Sequence, residues 1–124
     1  MAQFVLAETY RYPWPVTVHV PDPAKAGATI EQTFEALFEA VSLDEAEAMN
    51  ADYLALKTDA ERSAHQHDFL KRALKGWSGV QGPGGAEVPF TDETFATALQ
   101  HAWFRQGVYR AYSQSLSGEA RTGN

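Results

Sequence analysis

The sequence predicts an α+β fold: an N-terminal antiparallel sheet followed by four or more helices, with a Gly-rich turn between them. Three observations carry this. Trp14, Val16, Val18 and Val20 occupy alternate positions, the period of a half-buried strand. From Ser42 onward, apolar residues recur every three or four positions behind Ser/Thr-x-x-Glu signatures that start helices. Strand-like runs therefore precede helix-like runs, which argues against alternating βαβ units.

Residues 4–20 are strand-like, with Phe4, Leu6, Thr9 and Tyr10 ahead of Pro13 and the alternating run behind it. Pro13 and Pro15 belong at a strand start or a sheet edge, because proline has no N–H to give a ladder. Pro21-Asp22-Pro23 ends the strand, and residues 24–28 are a loop. Residues 29–41 satisfy two periods. Ile30, Phe34, Leu37, Phe38 and Val41 make a helical stripe, while Phe34, Ala36, Phe38 and Ala40 alternate as a strand pairing back on residues 14–20 would. Propensity favours helix, since Glu, Ala and Leu dominate the segment.

The helices that follow are clearer. Ser42-Leu43-Asp44-Glu45 is a capping-box sequence, and Leu43, Ala46, Met49, Tyr53 and Leu56 form one face behind it. Thr58-Asp59-Ala60-Glu61 repeats the signature. Its stripe runs through Ala60, Ala64, His67, Leu70, Ala73, Leu74 and Trp77 and is expected to end at Gly76. Residues 79–90 contain Gly82-Pro83-Gly84-Gly85, a hairpin or an ordered loop. Thr91 then caps a helix with Asp92 and Glu93 in its first turn, where they oppose the positive end of the helix dipole. Phe95, Leu99 and Trp103 are spaced by four, whereas Phe104, Val108, Tyr112 and Leu116 shift the stripe by one. That shift, with Gly107 nearby, predicts two short helices or a bend. Residues 1–116 read as one α+β domain and 117–124, without a large apolar residue, as a flexible tail.

Composition narrows the function. A chain of 124 residues suits one domain, and 44% hydrophobic content supports a core. Sixteen acidic residues against ten basic ones leave a net charge of -6, which opposes the phosphate contacts of nucleic-acid binding. No cysteine is present, which removes thiolate chemistry, Cys-based zinc sites and disulfides. The first residues lack a basic region and reach Glu8 early, unlike a signal peptide, and no apolar run approaches the ~20 residues of a membrane helix.

Catalytic patterns are missing. His65 and His67 lie two apart, so on a helix their rings diverge by roughly 200° and cannot share a metal. His19 and His101 are isolated. No serine sits in a Gly-x-Ser-x-Gly elbow, and Gly82–Gly85 lacks the lysine of a phosphate loop. Carboxylate pairs such as Asp44/Glu47 and Asp92/Glu93 fit helix starts and solvated faces. The expectation is no catalytic residue, no metal and no cofactor. The aromatics remain. Trp77, Phe90 and Phe95 flank a turn and can pack together as core. Trp103, Phe104, Tyr109 and Tyr112 cover much of a helix circumference, which makes them candidates for partner binding.

Several short motifs point one way together. They are Leu74-Lys75-Gly76-Trp77-Ser78-Gly79-Val80, Val88-Pro89-Phe90-Thr91-Asp92-Glu93, Trp14-Pro15-Val16-Thr17-Val18, Tyr112 and Ser117-Gly118-Glu119-Ala120-Arg121. In order and spacing the chain resembles the tail assembly chaperones of long-tailed bacteriophages and prophages. The resemblance touches most of the chain and implies a strand over residues 30–40. It implies a non-enzymatic protein of the bacterial host cytoplasm that coats the phage tape-measure protein, keeps its helical segments from aggregating and helps recruit tail-tube subunits. It also implies a homo-oligomer, with neither nucleic acid nor membrane as partner, and a C-terminal end that tolerates extension by a programmed frameshift. Two other readings stay open: a small hydrolase or ligand-binding domain with a sheet–helix pocket using His67 or His101, and another minor phage structural protein.

Overall fold

A computed structural model describes residues 2–117. The chain is an α+β mix in the order β1 (Arg11–Pro21), β2 (Thr29–Glu39), α1 (Leu43–Ala55), α2 (Asp59–Ala73), β3 (Leu74–Ser78), α3 (Asp92–Leu99) and α4 (Ala102–Leu116). The three strands form one antiparallel sheet in the order β1-β2-β3. The expected tail at 117–124 lies, beyond Ser117, outside the described residues.

β1 and β2 pair along their whole length, from Arg11 opposite Glu39 to Pro21 opposite Thr29. Even-numbered residues of both strands face the helices, so Val16, Val18, Ala36 and Phe38 are buried. Odd-numbered residues such as His19, Glu31, Thr33 and Glu35 are exposed on the other face. One covered and one wet face is the usual state of an antiparallel sheet. The helix-favouring composition of residues 29–39 loses to this pairing, because strand formation depends on cross-strand neighbours more than on intrinsic preference. The strand expected from residue 4 begins only at Arg11. Ahead of it only the Tyr10 carbonyl is paired, with the Ala40 N–H, among the described backbone bonds to the sheet, and Phe4 and Leu6 are each 88% exposed. Pro13, Pro15 and Pro21 give the edge strand β1 three positions without an N–H, which blunts it against further pairing.

The helix expected to run to Gly76 stops at Ala73, and Leu74–Ser78 is the third strand. Leu74 pairs with Phe38 and Gly76 with Leu37, so Lys75 is an extra residue at a bulge. A bulge resets the alternation. Leu74 and Trp77, three apart, thereby both reach the covered face, a spacing that reads as helical in sequence. Trp77 is half-buried at the centre of an aromatic group, 4.9 Å from Phe90, 6.1 Å from Phe104 and 6.2 Å from Phe34 between ring centroids. Its Nε1–H donates to the Val88 carbonyl at 2.8 Å, which ties the β3–α3 connection to the core. Within that connection Val88 N–H donates to Val80 O, and Gly82 N–H to Ala86 O.

The N-caps of α1, α2 and α3 have a sequence origin. Thr58 and Glu61 close a reciprocal capping box on α2, and Thr91 and Thr94 do the same on α3. On α1 the Ser42 hydroxyl accepts from Glu45 N–H at 3.2 Å. The Glu45 carboxylate, expected to reach back to the cap, is instead gripped by Arg72 of α2 at 2.6 and 3.0 Å. The stripe shift near residue 100 resolves as the break between α3 and α4, at Gln100 and His101. Gly107 has a different role. It lies mid-helix where α4 crosses β1, and a Cβ there would stand 2.7 Å from the Thr17 carbonyl oxygen.

Candidate functional site

α4 is placed by two neighbours at once. Phe104, Val108 and Ala111 pack on the sheet, with Phe104 stacked on Phe34 at 5.8 Å. Another side of α4 meets Phe69 of α2, whose ring lies 5.8 Å from Tyr109 and 5.7 Å from Tyr112. This double packing decides the fate of the four aromatics expected to bind a partner. Phe104 and Tyr112 are core residues, 8% and 3% exposed. Tyr112 also accepts the Val41 N–H through its hydroxyl at 2.9 Å, which anchors the β2–α1 link. Trp103 is half-buried and stacked on His101 at 4.7 Å. Tyr109 alone is open, 57% exposed. The four do not form one free surface.

The structure places a different feature beside them. Between α1, α2 and α4 runs a groove of about 960 Å³, with walls from Ala46, Met49 and Tyr53 on one side and Tyr109 and Leu116 on the other. Phe69 and Tyr112 line it as well. Sequence reasoning placed Met49 and Tyr53 on one face of α1. No residue of α1 is buried, and that face borders the groove. Leu43 and Leu54, at 72% and 73% exposure, show how little of α1 is covered. The signal was present in outline: an amphipathic helix with small Ala46 and flexible Met49 can wall a site as readily as fill a core. Phe69 was not singled out, because His67 occupied the expected stripe.

Electrostatically the groove departs from the rest of the molecule. The charged residues among those lining it are Arg105 and Arg110, with titratable His65, and no carboxylate is included. Arg105 is partly committed, donating from Nη1 to the Leu99 carbonyl at the end of α3 at 2.6 Å. Arg110 is exposed and has no ion-pair partner among the described residues. His65 tilts against Tyr53 at 5.7 Å, which joins α1 to α2. Neither His67 nor His101 is among the lining residues. Burial holds the His67 imidazole below its ordinary value of 6.5, with Arg105 and Lys71 adding in the same direction.

α1 is held mainly by charge. Arg72 forks onto Glu45, and its Nη2 also donates to the Ala40 carbonyl at 3.2 Å. Its Nη1 sits 3.1 Å from a Glu39 carboxylate oxygen but is misaligned for a hydrogen bond. Glu39 is held below the ordinary carboxylate value, first by its bond from Arg11 and then by the charge of Arg72. The network fixes the entrance of α1 and leaves its far end with few ties.

Among the described residues no group of three or more His, Cys, Asp or Glu is arranged to hold a metal ion, and no helix is long and apolar enough to cross a membrane. Compared with protein-family models, with curated proteins and with solved structures, the chain has no match.

Proposed function

We propose that the protein is a tail assembly chaperone of a long-tailed phage or prophage, holding apolar helical segments of the tape-measure protein and engaging tail-tube subunits during assembly. The observation that carries this reading is the apolar groove between α1, α2 and α4. A volume of about 960 Å³ takes a row of large side chains rather than a whole helix of ~10 Å diameter. Such a groove suits one face of an amphipathic helix docking by its i, i+3 or i+4, i+7 residues. Met49 supports a site that must accept many different side chains, because its unbranched thioether adapts to shape. Arg110 at the wall favours client segments with a carboxylate beside the apolar row. Shallow contacts of this kind gain strength when many copies line one long client. The reading also rests on the sequence resemblance. The hydrolase alternative has less support, since the histidines it would use, His67 and His101, are not among the groove's lining residues.

Co-expression with the tape-measure protein of the same phage or prophage tests the function. The wild-type chain is expected to keep that protein soluble. Tyr109→Asp and Met49→Asp should abolish the rescue while far-UV circular dichroism stays native. Unchanged solubility of the tape-measure protein with and without the wild-type chain overturns the reading.

A further inference from the structure

The two edges of the sheet are finished differently. Just beyond one end of the β1–β2 ladder the Ala40 N–H donates to the Tyr10 carbonyl at 2.9 Å, and beyond the other the Asp22 N–H donates to the Ala28 carbonyl at 2.9 Å. Both pairs are even-numbered and continue the ladder's register. Even-numbered pairs therefore bond each other, and odd-numbered residues turn their N–H and C=O outward. On β1 the outward positions include Pro13, Pro15 and Pro21, which have no N–H, and Thr17, whose carbonyl lies close beneath Gly107 of α4. That edge is closed. On β2 the outward positions are Thr29, Glu31, Thr33, Glu35 and Leu37, none of them proline. β3 pairs only with the stretch from Glu35 to Phe38, ends at Ser78 and is followed by Gly79 at φ 82°. Residues 29–33 are all exposed, and among the described residues no backbone hydrogen bond from outside the sheet reaches them. We propose that this open edge is a docking site for an extended, basic segment of another protein, added to the sheet as a strand in line with β3.

Charge and pattern select the occupant. In strand addition the backbone bonds give attachment, and side chains at alternate positions give selectivity. Glu31, Thr33 and Glu35 form one row on the wet face. The Glu31 side chain is 71% exposed, and His19 approaches it from the β1 side only to 3.9 Å. A lysine or arginine opposite Glu31, and a second opposite Thr33 reaching Glu35 on the diagonal, would each meet opposite charge. On the helix side of the sheet Ile30 is 40% exposed, so the intervening positions suit apolar, β-branched side chains. The segment that fits therefore alternates basic and apolar residues. The chain's net charge of -6 draws such a segment in. A second copy of β2 fits poorly, because joining two such edges brings their acidic rows together, and like charges across strands are destabilising. None of residues 29–33 lines the groove between α1, α2 and α4, so the edge is independent of whatever the groove holds.

The probe is a synthetic peptide alternating lysine and valine, titrated into the isotope-labelled wild-type chain. The amides of Glu31 and Thr33 are expected to shift and to gain protection from exchange, while those of Met49 and Tyr109 in the groove stay unchanged. The same peptide N-methylated along the edge that meets β2 should not bind. Thr33→Pro removes an outward N–H without touching the β1 ladder and should abolish binding. Glu31→Lys leaves the backbone as it is and should weaken binding about tenfold, as should a peptide alternating glutamate and valine. No change at Glu31 and Thr33, shifts confined to the groove, or equal binding of the N-methylated peptide overturns the proposal. Protection of Glu31 and Thr33 that rises with concentration of the chain alone would assign the edge to a second copy and overturn it as well.

Discussion

Gly107 is where a single atom decides how closely two layers approach. A side chain at this position would stand 2.7 Å from the Thr17 carbonyl oxygen and 3.1 Å from Val18 Cγ2. The first contact is backbone of a strand paired with β2 along its whole length, so it cannot swing aside. Gly107→Ala gains up to ~1 kcal/mol of helix propensity. Forcing α4 away from β1 costs about 1–3 kcal/mol by overpacking. The variant is therefore expected to melt at a lower temperature than wild type; an equal or higher melting point would mean that the layers are not so closely held. In sequence this glycine resembled a helix breaker, because the partner that requires it is 90 residues earlier in the chain. Trp77 carries the same lesson. Its chemistry as a core aromatic was legible, but its place on a strand was not, since the bulge at Lys75 imitates a helical spacing.

At the scale of elements, α1 and α4 differ in what holds them. α4 buries Phe104, Gly107, Val108, Ala111 and Tyr112, while α1 buries nothing. Segments with few buried apolar contacts open at lower free-energy cost than core helices. Amide hydrogen exchange should therefore be fastest among the helices in α1, and Arg72→Gln should accelerate α1 much more than α4. Equal protection in both helices would contradict this. A wall that yields would suit the proposed chaperone role, in which the groove takes clients of different shape. The amphipathic pattern of α1 was readable; that its apolar face meets a groove was not, because periodicity reports a face and not what covers it. The arm at 4–10 was misread as strand for the same reason: alternation cannot supply the missing neighbour.

For the whole molecule, stability should follow pH in two steps. His67 has its value lowered in the folded chain, mainly by burial. Below the ordinary value of 6.5 the unfolded chain takes up a proton that the folded chain refuses, so stability present above that point is lost as pH falls. Glu39 and Glu61 are also lowered, by Arg11 and by the bond from Lys57 N–H respectively. Their contribution is present above the ordinary value of 4.5 and disappears in more acidic solution. Denaturant midpoints measured from pH 8 to 3 are expected to fall first through the histidine range, then again through the carboxylate range. His67→Gln should flatten the first step only. An unaltered first step in that variant would assign it to another group.

What the sequence determined by itself was local and periodic. It specified the α+β class, the alternation of β1, the capped starts of α2 and α3 and the break before α4, because each depends on residues within a few positions of one another. Tertiary structure alone decided the remainder. Residues 29–39 became a strand because β1 and β3 lie on either side to receive their hydrogen bonds, and residues 74–78 became one because β2 had an edge to fill. Phe104 and Tyr112 became core while Tyr109 stayed open because α4 is packed from two directions. The groove exists because α1 stands off from a core already filled by α4 and the sheet, a matter of total packing that no stretch of sequence contains.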